Sequence, residues 1–182
     1  VIYYDADGLV HQQKARFVVM ACNGIGTPRL LLNSKSSLFP DGLANSSGLV
    51  GKNLMFHPYA SVTGVFREDM EGYKGPIGCS IASHQFYETD LSRGFVRGYS
   101  FQMVRSSGPV HTAMGGIGGQ LTPWGQDHRN VFSRRFNRNF SIAIVGDDLP
   151  ELHNCVVLDD NTDGDGVPAP KVSYKLSENS RK

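Results

Sequence analysis

Cysteine is scarce in this chain: Cys22, Cys79 and Cys155 are three of 182 residues, an odd number, and none belongs to a Cys-x-x-Cys pair. That usage excludes a disulfide framework and a tetrahedral zinc site, and leaves single thiols of the buried or idle kind. Neither sign of charge is in excess, with 18 basic and 17 acidic residues. Bulk electrostatics therefore gives no reason to expect nucleic acid or a membrane surface as a partner. No apolar run approaches the roughly eighteen residues of a transmembrane helix, and no signal peptide is visible. The six histidines, at 11, 57, 84, 111, 128 and 153, include no two at metal-ligand spacing on one helix, so no metal site is expected. A Gly-x-Ser-x-Gly elbow and a paired carboxylate set are both missing, which weighs against a hydrolase. Asn45-Ser-Ser and Asn139-Phe-Ser fit the glycosylation sequon at the rate chance allows.

What is present centres on the stretch from Phe17 to Ser34. Phe17 to Ala21 is an unbroken apolar run with two valines, which suits a short strand buried on both faces, as in a parallel sheet. Asn23, Gly24 and Gly26 end it, because glycine takes unusual backbone angles cheaply and lets another molecule approach the main chain. Thr27-Pro28 then reads as a helix start, the threonine oxygen capping free N–H groups and the proline occupying the first helical position. Leu30, Leu31 and Leu32 give that helix an apolar face. Strand, glycine turn and capped helix suit a nucleotide-like ligand, which favours strand carboxyl ends and helix amino ends. The geometry alone names no ligand. Gly24-Ile-Gly26 begins a dinucleotide fingerprint, but Arg29 stands where its third glycine belongs, and a purely structural turn fits as well.

Three segments in order carry a resemblance. Asn23-Gly-Ile-Gly-Thr-Pro-Arg-Leu-Leu-Leu-Asn-Ser34, Phe39-Pro-Asp-Gly-Leu-Ala-Asn-Ser-Ser-Gly48 and Val50-Gly-Lys-Asn-Leu-Met-Phe-His-Pro58 together resemble the interior of the glucose-methanol-choline (GMC) flavoprotein oxidoreductases. Lys35 departs from the pattern, standing where many members carry glycine. The resemblance weakens in the middle of the chain and returns at 147–174, where Asp165-Gly-Val-Pro-Ala-Pro170 resembles the end of the family's substrate domain. It implies an FAD-dependent dehydrogenase or oxidase that moves a hydride from the CH–OH group of an alcohol, sugar or polyol to flavin. The electron acceptor is left unnamed. It also implies an internal fragment, because the family's pyrophosphate fingerprint lies before these segments and its catalytic histidine after them. No catalytic residue is carried over. The expected cofactor wall is Ala21, Cys22, Asn23, Gly24 and Thr27, and the substrate-side candidates are His57, Arg97 and Tyr99. The implied fold class is α+β: a partial FAD-binding α/β domain over residues 1–56, a substrate domain on a mostly antiparallel sheet over 57–176, and a polar tail over 177–182. The alternative is a non-catalytic β-rich binding module whose glycine turn is structural.

Elsewhere the residues are read by pattern. Val1 to Tyr4, a turn at Asp5-Ala-Asp-Gly8, and Leu9 to Gln13 predict a hairpin. Residues 34–54 form a long polar loop, and Tyr59 to Arg67 has strand composition. Gly72, Gly75, Pro76 and Gly78 predict loop, followed by a short strand within Ile81 to Tyr87. Phe95, Tyr99, Phe101 and Met103 alternate with Gly98, Ser100 and Gln102, which predicts a strand with a core-facing aromatic row. Arg97 interrupts that row, at an edge or facing a polar site. Gly115-Gly-Ile-Gly-Gly119 lacks the Lys-Ser/Thr that a phosphate loop needs and reads as a flexible loop. Asp127 to Asn137 predicts a helix with Val131, Phe132, Arg135 and Phe136 on one face, and Phe140 to Val145 a strand. The arginines at 129, 134, 135 and 138 read as a solvated helix face. Asn154 to Leu158 and Val172 to Tyr174 predict strands around an acidic hairpin loop. In that loop Asp159-x-Asn161-x-Asp163-Gly164 starts a calcium pattern that fails at Pro170, where a glutamate is required.

Overall fold

The computed structural model describes residues 1–75 and 78–182; Pro76, part of the expected loop, lies outside them. The chain is α+β, with antiparallel sheets and short helices. It divides into two compact units, Val1–Met55 with Leu149–Lys175, and Phe56–Asp148 with Leu176–Lys182. The segment 149–175 thus groups with the start of the chain and not with its middle. Residues 176–182, expected as a tail, belong to the second unit.

In the first unit β1 (Ile2–Tyr4) and β2 (Val10–Gln12) form the expected hairpin, with Ile2 opposite Gln12 and Tyr4 opposite Val10. Asp5 makes the turn by accepting hydrogen bonds from the amides of Asp7 and Leu9, at 3.0 and 2.8 Å. Those bonds and His11 hold its carboxyl below the usual range, with the Leu9 amide the largest cause. The strand expected at Phe17 to Ala21 does not form. No strand among the described residues pairs with it, and Phe17, Val18 and Val19 are 81, 57 and 87% exposed. An apolar run becomes a buried strand only where neighbours take up its backbone groups on both edges, and this unit offers none.

Helix α1 (Asn23–Asn33) begins four residues before the expected Thr27. Asn23 is the reason. Its side-chain oxygen accepts from the amides of Ile25 and Gly26 at 2.9 and 3.0 Å, a cap that Thr27 cannot supply from inside the helix. Thr27 instead accepts from the Cys22 amide through its hydroxyl, at 3.2 Å, and Pro28 lies within the helix. The helix packs on the hairpin of β7 (Cys155–Thr162) and β8 (Pro168–Ser173). The chain at Gly51 to Leu54 runs along the start of β7, through Val156 N–H to Gly51 carbonyl at 2.7 Å and Leu54 N–H to Asn154 carbonyl at 2.9 Å. Gly51 has φ +80° and a Cβ there would overlap the Val156 carbonyl, so this crossing requires glycine.

The second unit is built on a four-stranded antiparallel sheet in the order β3 (Tyr59–Val65), β6 (Asn139–Gly146), β5 (Tyr99–Val104), β4 (Cys79–Ser83). Its register pairs Tyr59 with Val145, Phe101 with Ile144 and Ser83 with Phe101. β4 starts before the expected span and carries an irregularity between Cys79 and Ile81. Tyr99, Phe101 and Met103 share one face with Ile142 and Ile144, as the alternation requires. That row is only half-buried, while Ser100 and Ala143 on the opposite face are buried, so the row does not face the core. Within the glycine-rich stretch lies an unforeseen helix, α2 (Pro109–Met114), started by proline at its first position. Its Thr112 is fully buried, donating to Gly108 carbonyl at 3.0 Å, while Thr122 donates to Thr112 carbonyl at 2.7 Å. Helix α3 (His128–Arg135) stacks Phe132 on Phe136 at 5.1 Å. Two of the four arginines expected to be merely solvated are structural: Arg135 donates to the carbonyls of Gln120 and Leu121, and Arg138 pairs with Asp69 at 2.9 Å.

Candidate functional site

The first candidate is the start of α1. Ala21, Cys22, Asn23 and Gly24 are exposed there in sequence, and Thr27 is half-buried one turn on. A Cβ built on Gly24 meets nothing within 4 Å, so its backbone faces open space. A helix start frees four amides; Asn23 caps those of residues 25 and 26, and the amides of Asn23 and Gly24 have no side-chain acceptor among the described residues. Gly24 and Thr27 line a groove of about 400 Å³ that continues along Pro28 and Leu31 to residues 50–55. Ala21, Cys22 and Asn23 do not line it.

Arg29, read in the sequence as a missing glycine, fixes this helix to the β7–β8 loop. Its guanidinium donates to Pro168 carbonyl at 2.7 Å, to Val167 carbonyl at 3.1 Å and to Asp163 at 2.5 Å. Asp163 also accepts from the amides of Asp165 and Val167, both at 3.0 Å. Arg29 first, and then the Val167 amide, hold the Asp163 carboxyl below its ordinary value. The acidic hairpin loop is therefore a clamp on α1. Among the described residues no group of three or more His, Cys, Asp or Glu side chains gathers as a metal site.

The second candidate is a cavity of about 660 Å³ in the second unit, on the aromatic face of the sheet. Phe95, Tyr99 and Phe101 line it, with Arg93, Asp147 and residues 179–182 around the rim. Asp90 caps the 3-10 turn Leu91–Arg93 through its bonds to Ser92, which keep its carboxyl below the usual range. That turn delivers Arg93. Its side chain is 18% exposed, donates to the carbonyls of Phe86 and Glu88, and places its guanidinium carbon 5.4 Å from the Phe95 ring and 5.8 Å from the Tyr99 ring. Phe86 stacks on Tyr99 at 5.5 Å, and Phe101 meets Tyr99 edge-on at 5.6 Å. The far wall is α4 (Glu178–Arg181), capped by Ser177 and tied down by Asn179, which exchanges two hydrogen bonds with the Val96 backbone at 2.8 and 2.9 Å. Ser180 donates to buried Asp148 at 3.0 Å.

Of the three substrate-side candidates only Tyr99 lines this cavity. His57 is exposed, with Nδ1 3.2 Å from the Gly146 carbonyl. Arg97 takes φ +69° just before β5, its amide donates to the Thr89 hydroxyl at 2.9 Å, and its side chain is exposed outside the cavity. Arg93, Asp147 and Ser180 were missed. The Ser177-Glu-Asn-Ser180 cap pattern could have revealed the helix that carries Ser180.

Sequence comparison adds an independent line. The chain is 48% identical over 174 residues to 2-methyl-1,2-propanediol dehydrogenase of Mycolicibacterium austroafricanum, covering 94% of this chain and 32% of that protein. It is 32% identical over 187 residues to the fructose dehydrogenase large subunit of Gluconobacter japonicus, covering 100% and 33% respectively. Its relatives are oxidoreductases. Paromamine 6'-oxidase of Streptomyces fradiae, 28% identical over 90% of this chain and 27% of its own length, extends the set from dehydrogenases to an oxidase. The chain spans about a third of the length of the curated relatives it matches. No family model matches it. Among the described residues no helix is long and apolar enough to cross a membrane.

Proposed function

We propose that this chain is an internal part of an FAD-dependent oxidoreductase of the GMC family, which oxidises CH–OH groups of small alcohols, sugars or polyols. The observation that carries the reading is the match along nearly the whole chain to enzymes whose names denote oxidation of a diol and a sugar. The start of α1 fits the cofactor. An extended dinucleotide needs uncovered main chain with free donors beside a helix amino end, and Gly24 provides open space with first-turn amides that no side chain caps.

In this reading Ala21 to Gly24 and Thr27 hold the nucleotide half of FAD, and Arg29 with Asp163 keeps the helix in register for it. When bound, FAD supplies the hydride acceptor for the carbinol carbon. The residues present bind and orient; the base that takes the hydroxyl proton is not among those assigned. Residues 1–56 are then the flavin side and the sheet from residue 57 the substrate side, with 149–175 returning to the flavin side.

The test is the visible spectrum of the parent protein. Flavin absorbance that bleaches when a 1,2-diol or a sugar alcohol is added supports the reading. A colourless, FAD-free protein overturns it and favours a binding module.

A further inference from the structure

We propose that Asn23 is a self-modifying residue: the main-chain nitrogen of Gly24 attacks the Asn23 side-chain amide, converting the residue to aspartate or isoaspartate wherever no cofactor covers the turn. The link to the cofactor rests on the reading above and gives that site a lifetime.

Asn23-Gly24 is the single Asn-Gly pair in the sequence, and both residues are exposed to water. The nucleophile is free. Among the described residues the Gly24 amide has neither a main-chain nor a side-chain acceptor, and open space stands where a β-carbon would shield it. The electrophile is polarised: Asn23 Oδ1 accepts from the amides of Ile25 and Gly26 at 2.9 and 3.0 Å, donors already in place for the charge that builds on that oxygen in the tetrahedral intermediate. The leaving group is uncommitted, since Asn23 Nδ2 has no partner among the described residues. The Asn-Ser pairs differ. The Ser34 amide is bonded to Leu30 carbonyl at 3.0 Å, and the side-chain nitrogens of Asn45 and Asn179 donate to the carbonyls of Asp41 and Val96, both at 2.9 Å.

In the reaction a bond forms between Gly24 N and Asn23 Cγ, the Cγ–Nδ2 bond breaks, and the Gly24 amide proton leaves with ammonia. Water then opens the cyclic imide at either carbonyl, so no oxidant or reductant takes part. The product sets a new carboxylate beside the free amides of a turn suited to an anionic dinucleotide, and like charges repel.

The experiment incubates the full-length parent protein at mildly alkaline pH, flavin-loaded and flavin-stripped, and follows the tryptic peptide of residues 17–29, bounded by Arg16 and Arg29, by mass spectrometry. In stripped protein this peptide should exchange –NH2 for –OH in mass at least about ten-fold faster than the peptides holding Asn33, Asn45 or Asn179. Bound flavin should slow the exchange at least about ten-fold. Gly24→Ala crowds the attacking nitrogen in otherwise open space, and Ile25→Pro removes one oxygen-holding amide in a first turn that tolerates proline; each should slow it about ten-fold. Asn23→Asp should bind flavin about ten-fold less tightly than the native protein. No exchange at this peptide, or exchange that Ile25→Pro accelerates, overturns the proposal, and native flavin affinity in Asn23→Asp overturns its link to the cofactor. Exchange at equal rates with and without flavin leaves the reaction standing and overturns the cofactor placement. A parent protein that carries no flavin sinks the oxidoreductase reading, while the mass change and the Gly24 and Ile25 variants still decide the reaction.

Discussion

Arg29 shows how one side chain can carry information that a motif search reads as a defect. It stands in the third-glycine position of the fingerprint, and it bonds the β7–β8 loop through Asp163 and two carbonyls. Because Arg29 lowers the Asp163 pKa, the pair stabilises the fold above the ordinary aspartate range, and the contribution is lost as pH falls through that range. Thermal melts between about pH 5 and 3 should fall more steeply for the native protein than for Arg29→Ala. Parallel slopes would show that the clamp contributes nothing. Asn154 is a second such residue. It is fully buried and its amide exchanges bonds with the Lys175 backbone, accepting at 2.7 Å and donating at 3.1 Å. Asn154→Ala removes both bonds to the Lys175 main chain and should cost about 1–3 kcal/mol in urea denaturation.

At the scale of elements, what could be read in advance followed from local patterning. The β1–β2 hairpin, β3, β6 and α3 lie within a few residues of their expected spans, because turn residues and apolar periodicity decide them. Helix α1 was legible in kind and misplaced in its start. Thr27-Pro28 and Asn23 are competing start signals, and Asn23 prevailed because it alone reaches the amides two and three residues on. The failed strand has the opposite cause: Phe17 to Ala21 has the right composition, but strand pairing is decided by neighbours, which no local pattern reveals. Its exposed apolar edge should make the isolated chain self-associate. Val19→Lys should reduce that association in sedimentation experiments. In the parent protein the same change should lower the folded yield, and a yield equal to the native one would contradict a buried strand there.

At the scale of the whole chain, the return of residues 149–175 to the first unit was out of reach of composition. Such long-range pairing depends on Asn154, Gly51 and Leu54 meeting across roughly a hundred residues, and no periodicity encodes that. The aromatic alternation of β5 was read correctly in phase and wrongly in destination, since a row of Tyr99 and Phe101 looks alike whether it faces a core or a cavity. The resemblance to oxidoreductases was legible in three ordered segments, and the chain's similarity to a diol dehydrogenase and a fructose dehydrogenase subunit agrees with it at that level.

The most direct test of the account compares flavin content and thermal midpoint of the parent protein with those of its Gly24→Leu variant. Gly24 faces open space, and replacing a helical glycine by leucine favours the helix by about 0.5–1 kcal/mol. The fold should therefore hold its midpoint or gain while bound flavin drops at least ten-fold. A variant that melts normally and keeps its full complement of flavin would contradict the claim that the cofactor lies against this turn.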